Sequence, residues 1–325
     1  MTDVQDPTNA RSTRFVDPEA LMRIQSLELR AKVVVEGFFH GIHRSPFHGF
    51  SVEFSEYRQY SPGDDPRYLD WRLFARSDRY FIKRFEDETN LRCHLLVDMS
   101  RSMGYGSGSF SKGEYARTIA VTLAYFLSRQ RDAVGLATFD EQIVDFVRAR
   151  YRPGHLQRLI RCLARDWSGH GTDIGAPIEQ VARTVYKRSL IVLISDLLTP
   201  LESLESQLGL LTSKGHDVVV LRVLDPAEET FEFGEASVFE DLESGRDLYV
   251  DPTSIRADYL RRFREHAAEV ERICTGLGID YFSFTTARPL ELMLLDFVGA
   301  RLRRGKRIAR RRAPRTGTRA REEAQ

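Results

Sequence analysis

The sequence predicts a doubly wound α/β domain with a mostly parallel sheet, preceded by a leading helix and a smaller β-rich subdomain. From about residue 91 onward, short apolar segments alternate with longer segments whose apolar residues recur every three or four positions. This is the pattern of strands that alternate with helices. The apolar segments are continuous, as in Leu190–Ile194, which favours strands buried on both faces. We therefore expect helices on both sides of one parallel sheet.

The composition indicates a globular protein of the cytoplasm. The 325 residues are 42% hydrophobic and 29% charged, unlike a fibrous or wholly disordered chain. The longest apolar runs are about half of the ~20 residues that a membrane-spanning helix needs. The first residues lack the apolar region of a secretory signal. The three cysteines follow no disulfide-like pattern, so we predict a cytoplasmic location.

Four segments are predicted along the chain. Residues 1–16 are polar and are predicted to form a mobile arm. Residues 17–90 are predicted to hold a helix from Asp17 to about Phe39, which starts with a proline at its first position, and then a β-rich subdomain. Residues 91–300 are the predicted α/β domain. Residues 301–325 carry eleven Lys and Arg against two Glu and are predicted to be a basic disordered tail.

Within residues 91–300, each apolar or turn pattern predicts one element. In order, these are a strand at Cys93–Val97, a helix at Lys112–Arg129, a hairpin of Ala133–Phe139 and Gln142–Val147, helices at Pro153–Arg165 and Ile174–Tyr186, a strand at Leu190–Ile194, a helix at Leu201–Thr212, a strand at Val218–Val223, a hairpin within Asp225–Asp251, a helix at Ser254–Thr275, a strand at Tyr281–Phe284 and a helix at Leu290–Val298.

Polar side chains follow three of these segments. The first strand ends at Asp98, and a D-x-S-x-S pattern places Ser100 and Ser102 directly after it. Thr172 lies in a glycine-punctuated loop that opens a helix, and Asp196 follows a later apolar strand. In open parallel sheets, ligands bind at the carboxyl ends of the strands, near the point where the strand order reverses. We therefore expect these five side chains to lie together.

Two carboxylates and three hydroxyls are typical ligands of a hard divalent cation. Without His or Cys, this set favours Mg²⁺ or Mn²⁺, which take oxygen ligands. Two anionic groups and three neutral hydroxyls leave such an ion under-satisfied, so the sequence predicts one more oxygen ligand, from an acidic side chain of a partner. The alternative is that Asp98 or Ser100 only caps the helix after the loop.

Two sequence blocks resemble a known family. The D-x-S-x-S motif at Asp98, with Thr172 and Asp196 downstream, is similar to the metal-ion-dependent adhesion site of von Willebrand factor A domains. The block Glu53–Asp65 (EFSEYRQYSPGDD), followed by Asp70–Arg76 (DWRLFAR), resembles the signature of the domain-of-unknown-function family 58. The resemblance covers about residues 15–300.

The resemblance implies a von Willebrand A-like, Rossmann-type fold and a non-catalytic protein-interaction module. It implies that Ser100, Ser102 and Thr172 are direct or near-direct ligands of the ion, and that Asp98 and Asp196 bind largely through water. Members of the family are commonly associated with MoxR-type AAA+ ATPases. The implied partner is therefore such an ATPase, or a client protein that the ATPase remodels.

A second candidate surface lies in the β-rich subdomain. Arg58, Trp71, Arg72 and Arg76 belong to a stretch in which charges of both signs surround aromatic side chains. Arginine and aromatic residues are enriched at interface hot spots, which favours partner binding. The same pattern is also typical of an internal ion-pair network that holds the subdomain to the α/β domain.

Three other functions stay open at this point. The basic tail has the charge to bind nucleic acid or an anionic membrane with strong salt dependence, although it lacks aromatic residues that stack on bases. The same ion would also serve a metal-dependent hydrolase, although the sequence contains no P-loop or nucleophile-elbow motif. The last is a structural subunit in which the site is vestigial.

Overall fold

The computed structural model describes residues 15–44, 57–59, 81–83, 91–165, 174–233, 237–240 and 247–312. Several predicted features lie outside these residues, namely positions 1–14 of the arm, most of the β-rich subdomain, the ligand candidate Thr172 and the surface residues Trp71, Arg72 and Arg76.

The described elements follow the predicted alternation of strands and helices. In order they are α1 (Pro18–Met22), α2 (Leu27–Arg44), β1 (Tyr57–Gln59), β2 (Phe81–Lys83), β3 (Arg92–Asp98), a 3₁₀ turn (Arg101–Gly104), α3 (Lys112–Arg129), β4 (Ala133–Phe139), β5 (Ile143–Arg150), α4 (His155–Leu163), α5 (Gly175–Thr184), β6 (Leu190–Ser195), α6 (Leu201–Ser213), β7 (Asp217–Leu224), α7 (Pro226–Thr230), β8 (Ser237–Glu240), β9 (Asp247–Val250), α8 (Pro252–Gly276), β10 (Asp280–Thr285) and α9 (Leu290–Arg312).

The main sheet has the strand order β10-β7-β6-β3-β4-β5 among the described strands. Its neighbours are parallel except for β4 and β5, which are antiparallel. The chain builds from β3 through β4 to β5, then crosses to the other side of β3 with β6 and continues to β7 and β10. The strand order therefore reverses between β3 and β6. The predicted doubly wound, mostly parallel sheet is confirmed.

Both faces of this sheet are buried. Along β3, the side chains of Cys93, Leu95 and Val97 join one apolar cluster, and that of Leu96 joins the other. The first cluster contains residues of α1, α2, α3, α4 and α9, and the second contains residues of α5, α6 and α8. Two covered faces explain why the strands are continuous apolar runs in the sequence.

The predicted leading helix is two helices in the structure. The chain leaves α1 at Met22 and enters α2 at Leu27, and the turn between them closes around the buried Arg30. Its guanidinium donates hydrogen bonds to the carbonyl oxygens of Met22, at 2.7 Å, and Ile24, at 2.5 Å. These bonds satisfy backbone carbonyls at the end of α1 and fix the direction of α2.

Helix α2 packs against α3 in the core of the α/β domain. The rings of Phe38 and Phe126 meet edge to face, with centroids 5.7 Å apart. Phe39 stacks on the same Phe126 ring at 6.0 Å. The segment that the sequence grouped with the β-rich subdomain thus contributes its second helix to the main core.

Helix α9 extends further than the sequence predicts. The predicted helix stops at Val298 and a disordered tail starts at residue 301, whereas in the structure residues 301–312 continue the helix. Arg, Lys and Ala are good helix formers, and positive side chains near a helix C-terminus interact favourably with its dipole. The basic residues therefore extend the helix, and residues 313–325 lie outside the described part.

Two further antiparallel strand pairs are present. Strands β8 and β9 pair antiparallel, which confirms the hairpin predicted within Asp225–Asp251. Strands β1 and β2 also pair antiparallel, and the backbone of Arg58 lies opposite Ile82. Among the described residues, no helix has both the length and the hydropathy needed to cross a membrane.

The inner face of α9 gives a test of the core. Phe297 is fully buried in the first cluster, whereas Leu295 on the same helix is 36% exposed. We expect Phe297→Ala to lower the free energy of unfolding by roughly 3–5 kcal/mol and Leu295→Ala to lower it by less than about 1 kcal/mol. Urea denaturation measures both. Equal losses in the two variants would contradict this packing.

Candidate functional site

The candidate site lies where the strand order reverses. Asp98 is the last residue of β3, and Asp196 follows directly after β6. The two strands are parallel neighbours in a register that pairs Val97 with Ile194. Asp98 therefore meets Ser195, whose hydroxyl donates a 2.6 Å hydrogen bond to Asp98 Oδ2. The sheet brings together two carboxylates that are almost a hundred residues apart.

The two serines of the D-x-S-x-S motif lie beside Asp98. The Ser100 amide donates to Asp98 Oδ1 at 2.9 Å, and the Ser100 and Ser102 hydroxyl oxygens are 3.1 Å apart. Asp98 and Ser100 are fully buried, and Ser102 is 9% exposed. Four of the five predicted ligand side chains thus belong to the described site, because Asp196 is at the neighbouring strand end. The fifth, Thr172, lies outside the described residues.

A capping role does not account for these serines. Ser100 precedes the 3₁₀ turn, but its side chain makes no capping hydrogen bond. Helix α3 has its own cap, a reciprocal pair of hydrogen bonds between Ser111 and Glu114. The Ser100 hydroxyl is instead beside that of Ser102. The structure therefore does not support the alternative in which Ser100 only caps a helix.

The site contains a buried cation that the sequence analysis missed. Lys112, the first residue of α3, is fully buried, and its ammonium lies 2.8 Å from Asp196 Oδ2 and 2.6 Å from Glu228 Oε1. Lysine is almost never fully buried unless it is paired. One sequence signal was available, since a positive charge in the first turn of a helix opposes the helix dipole.

Glu228 links this cation to a second part of the loop. Its other carboxylate oxygen accepts a 2.8 Å hydrogen bond from the Asp225 amide, which forms a capping box at the start of α7. The Asp225 carboxylate accepts hydrogen bonds from the backbone amide and the hydroxyl of Ser107. Ser107 belongs to the glycine-rich loop after the D-x-S-x-S motif. The loop is therefore fastened to α7 and, through Glu228, to Lys112.

Burial and the arrangement of charges govern the ionisation of the site. Burial raises the pKa of Asp98 to about 7, and the nearby Asp196 carboxylate adds to the rise, while hydrogen bonds from Ser195 and Ser100 oppose it. Burial acts to lower the pKa of Lys112, but Asp196 and Glu228 outweigh it and the pKa is raised. Lys112 therefore remains charged, and the interior favours a further positive charge near Asp98.

Two backbone features hold the loops in place. Leu197, directly after Asp196, has a φ of 57° although it is not glycine, a conformation that is uncommon for a bulky side chain. Its amide donates to the Ser195 hydroxyl at 3.0 Å. At Gly106, a Cβ atom would lie 2.3 Å from the Phe110 carbonyl oxygen, so only glycine fits where the loop folds back on itself.

The described residues contain no cluster of three or more His, Cys, Asp or Glu side chains suited to a metal ion. An ion at this site would therefore depend on hydroxyls as well as on Asp98 and Asp196. Of the predicted partner surface, only the backbone of Arg58 is described, so that surface stays a prediction.

Comparison with known proteins identifies the family. The family model described as "Protein of unknown function DUF58" matches residues 56–269. The chain belongs to the DUF58 family. An uncharacterised protein of Mycobacterium bovis is 30% identical to this DUF58 chain over 293 residues, which cover 88% of this chain and 91% of that protein. The resemblance to the domain-of-unknown-function family 58 is thereby confirmed.

Two solved structures match this chain at lower sequence identity. An aerotolerance-related membrane protein from Bacteroides fragilis is 18% identical, with a TM-score of 0.43, over 62% of this DUF58 chain and 96% of that chain. The SpRpn10 VWA domain is 12% identical, with a TM-score of 0.38, over 63% of this chain and 93% of that domain.

Removal of the buried ammonium should destabilise the protein strongly. Lys112→Met leaves Asp196 and Glu228 without their shared cation in the interior, so we expect a loss of roughly 3–5 kcal/mol in urea denaturation. Lys32→Met, which breaks a partly exposed pair with Glu28, should cost less than about 0.5 kcal/mol. Adding Glu228→Gln to Lys112→Met should recover part of the loss. A Lys112→Met variant as stable as wild type would contradict the assignment.

The raised pKa of Asp98 predicts a pH dependence. Between its ordinary pKa and about 7, the folded state holds a proton that the unfolded state has released, so this group lowers stability as pH rises. Asn at position 98 does not titrate. Relative to wild type, Asp98→Asn should therefore gain roughly 1–3 kcal/mol of unfolding free energy between about pH 5 and about pH 8.

This pH series is measured by urea denaturation in EDTA, so that divalent ions do not contribute. Asp217→Asn, at a half-exposed position that pairs with Arg188, is the matched control. Parallel pH profiles for wild type and Asp98→Asn would show that the Asp98 carboxyl titrates normally.

Proposed function

We propose that this DUF58 protein is a non-catalytic interaction module that binds a partner through a divalent cation. In this proposal Asp98, Ser100, Ser102, Thr172 and Asp196 hold Mg²⁺ or Mn²⁺, and an acidic side chain of the partner completes the coordination. The partner is a MoxR-type AAA+ ATPase or a client of that ATPase in protein assembly or remodelling. The von Willebrand A-like fold itself suggests a protein-interaction module.

One observation carries the proposal. The carboxylates of Asp98 and Asp196 and the hydroxyls of Ser100 and Ser102 are buried together at the ends of two adjacent parallel strands. Buried carboxylates are unfavourable unless they are paired or coordinate a metal. Lys112 contacts Asp196 and Glu228, whereas the hydrogen bonds to Asp98 come from neutral groups. The set therefore has room for one more cation near Asp98.

The donors present fit a hard divalent ion. They are carboxylate and hydroxyl oxygens, which Mg²⁺ and Mn²⁺ prefer. Each carboxylate can accept about four hydrogen bonds or ligand bonds, so the bonds from Ser100 and Ser195 to Asp98 leave lone pairs available. When bound, the ion would supply positive charge that attracts a partner carboxylate. The chain's own residues would position that ion at the rim of the sheet.

The partner assignment is supported by the family alone. The motif blocks resemble a family whose members are commonly associated with MoxR-type ATPases, and the model of that family matches residues 56–269 of this chain. An acidic partner group fits the site because the ligands supply only two negative charges from Asp98 and Asp196. A third carboxylate, from the partner, would complete an oxygen ligand set.

Ion binding should depend on the two serines. At a MgCl₂ concentration about 100 times its Kd, we expect the Tm of the wild type to be about 4 °C higher than in EDTA, with binding heat in calorimetry. Ser100→Ala/Ser102→Ala should lose both effects. Ser206→Ala/Ser213→Ala on α6, where both side chains are exposed, should keep both. An unchanged Tm of the wild type in Mg²⁺ and in Mn²⁺ would indicate a vestigial site.

Partner binding is tested with the same variants. A purified MoxR-type ATPase from the same genome is passed over the immobilised full chain in Mg²⁺ or in EDTA. The proposal expects capture by wild type and by the α6 control in Mg²⁺ alone. Capture that survives EDTA and Ser100→Ala/Ser102→Ala would mean that the ion is not part of the interface.

A further inference from the structure

A cavity opens directly beside the candidate ion site. It has a volume of about 610 Å³, within the range of ~300–1,000 Å³ that is usual for ligand pockets. Ser102 of the D-x-S-x-S motif lines one side, and Leu198, two residues after Asp196, lines another. The Leu198 amide donates to Asp196 Oδ1 at 3.2 Å. The cavity therefore borders the ends of β3 and β6, the two strands that lead into Asp98 and Asp196.

Aromatic rings form the opposite wall. Phe231 stacks on Tyr259 with ring centroids 4.2 Å apart, and Phe233 meets both Phe231 and Phe239 edge to face at 5.1 Å. Phe231 ends α7 with a φ of 47°, an outlier conformation for a bulky residue. Ring packing thus fixes the wall before any ligand binds. A rigid apolar wall of this kind is typical of a binding site that is largely preformed.

The hairpin β8–β9 extends the apolar surface outward from the cavity. Val238, which lines the cavity, is 61% exposed, and its cross-strand partner Tyr249, on the same face of the hairpin, is 73% exposed. Apolar patches on a protein surface, when they adjoin polar groups, mark interaction sites. Val238 and Ser102 line the same cavity, so a partner segment that crosses the cavity reaches both the apolar patch and the ion site.

The negative charges in the cavity lining indicate which kind of side chain it binds. Glu228 and Glu240 both line it, and Glu228 is already paired with Lys112. A partner carboxylate would be repelled from these groups and attracted to the ion. Apart from Ser102, the remaining lining is apolar and aromatic, which favours an uncharged apolar side chain.

We infer that this cavity binds a bulky apolar side chain from the same partner segment that gives its acidic side chain to the ion. The inference rests on the proposed ion-mediated interaction and adds the partner's chemistry to it. Because the cavity and the ion site share Ser102 as a boundary and an extended chain advances ~3.3 Å per residue, the two side chains lie within about four positions of each other.

The test selects binding peptides from a displayed library of random linear peptides, with the full chain as bait in Mg²⁺. We expect enriched sequences to contain Asp or Glu with Leu, Ile, Phe, Met or Trp within about four positions. An enriched peptide is then measured against three variants. Ala227→Trp fills the cavity, Val238→Lys charges its mouth, and Val144→Lys places the same change at an exposed site on the far edge of the sheet.

The expected affinities distinguish the inference about the cavity from the proposal about the ion. Ala227→Trp and Val238→Lys should weaken the peptide at least about tenfold, and Val144→Lys should leave it unchanged. Replacing the apolar peptide residue by Gly should weaken binding to the wild type to a similar extent. The Ala227→Trp variant should then bind this Gly peptide with the same affinity as the wild type does. Replacing the acidic residue by Asn, adding EDTA or introducing Ser100→Ala/Ser102→Ala should abolish binding.

Each contrary outcome has a distinct meaning. Acid-dependent and Mg²⁺-dependent peptides that share no apolar residue and tolerate Ala227→Trp would overturn the cavity inference and keep the ion proposal. Peptides that need the cavity but neither Mg²⁺ nor an acidic residue would overturn the ion proposal and the pairing inferred from it. A consensus of Lys or Arg beside the acidic residue would assign the cavity to a cation instead. Failure to enrich any peptide would also overturn the inference.

Discussion

The buried ammonium of Lys112 holds the candidate site together. It joins Asp196, at the end of β6, to Glu228 on α7. Glu228 caps the helix that begins after Asp225, and the Asp225 carboxylate binds the loop at Ser107. Three segments that are distant in the sequence are therefore tied to one charge. In a low-dielectric interior such a charge is stable only with its partners in place, so the loop geometry depends on it.

Lys112 divides the site into two electrostatic halves. The Lys112 ammonium supplies a positive charge beside Asp196, whereas Asp98 accepts hydrogen bonds from the neutral groups of Ser100 and Ser195. Burial raises the pKa of Asp98, and no cation among the described residues offsets it there, whereas Asp196 and Glu228 offset burial at Lys112 and raise its pKa. A divalent ion would supply at Asp98 what the lysine supplies at Asp196. The module would then use one permanent and one exchangeable cation at the same sheet edge.

The sequence predicted the elements whose signals are local. Continuous apolar strands gave the sheet, and the spacing after Asp98 located the loop. The pairing of Lys112 was not predictable from such patterns, because its partners lie 84 and 116 residues away and lysine is normally exposed. The turn between α1 and α2 was missed because it contains no Gly or Pro and its carbonyls are bound by Arg30, which lies further along the chain. The extent of α9 was missed because basic residues suit both a helix and a disordered tail.

The position of β3 in the sheet has a consequence for the order of folding. Its pairing with β4 uses residues that follow closely in the chain, whereas its pairing with β6 joins Asp98 to a residue 97 positions away. Closing that longer loop costs more chain entropy and slows folding. A nascent or truncated chain that ends before β6 would carry the whole D-x-S-x-S motif without its second carboxylate. The ion site would thus be assembled late, and binding competence would report that the central crossover is complete.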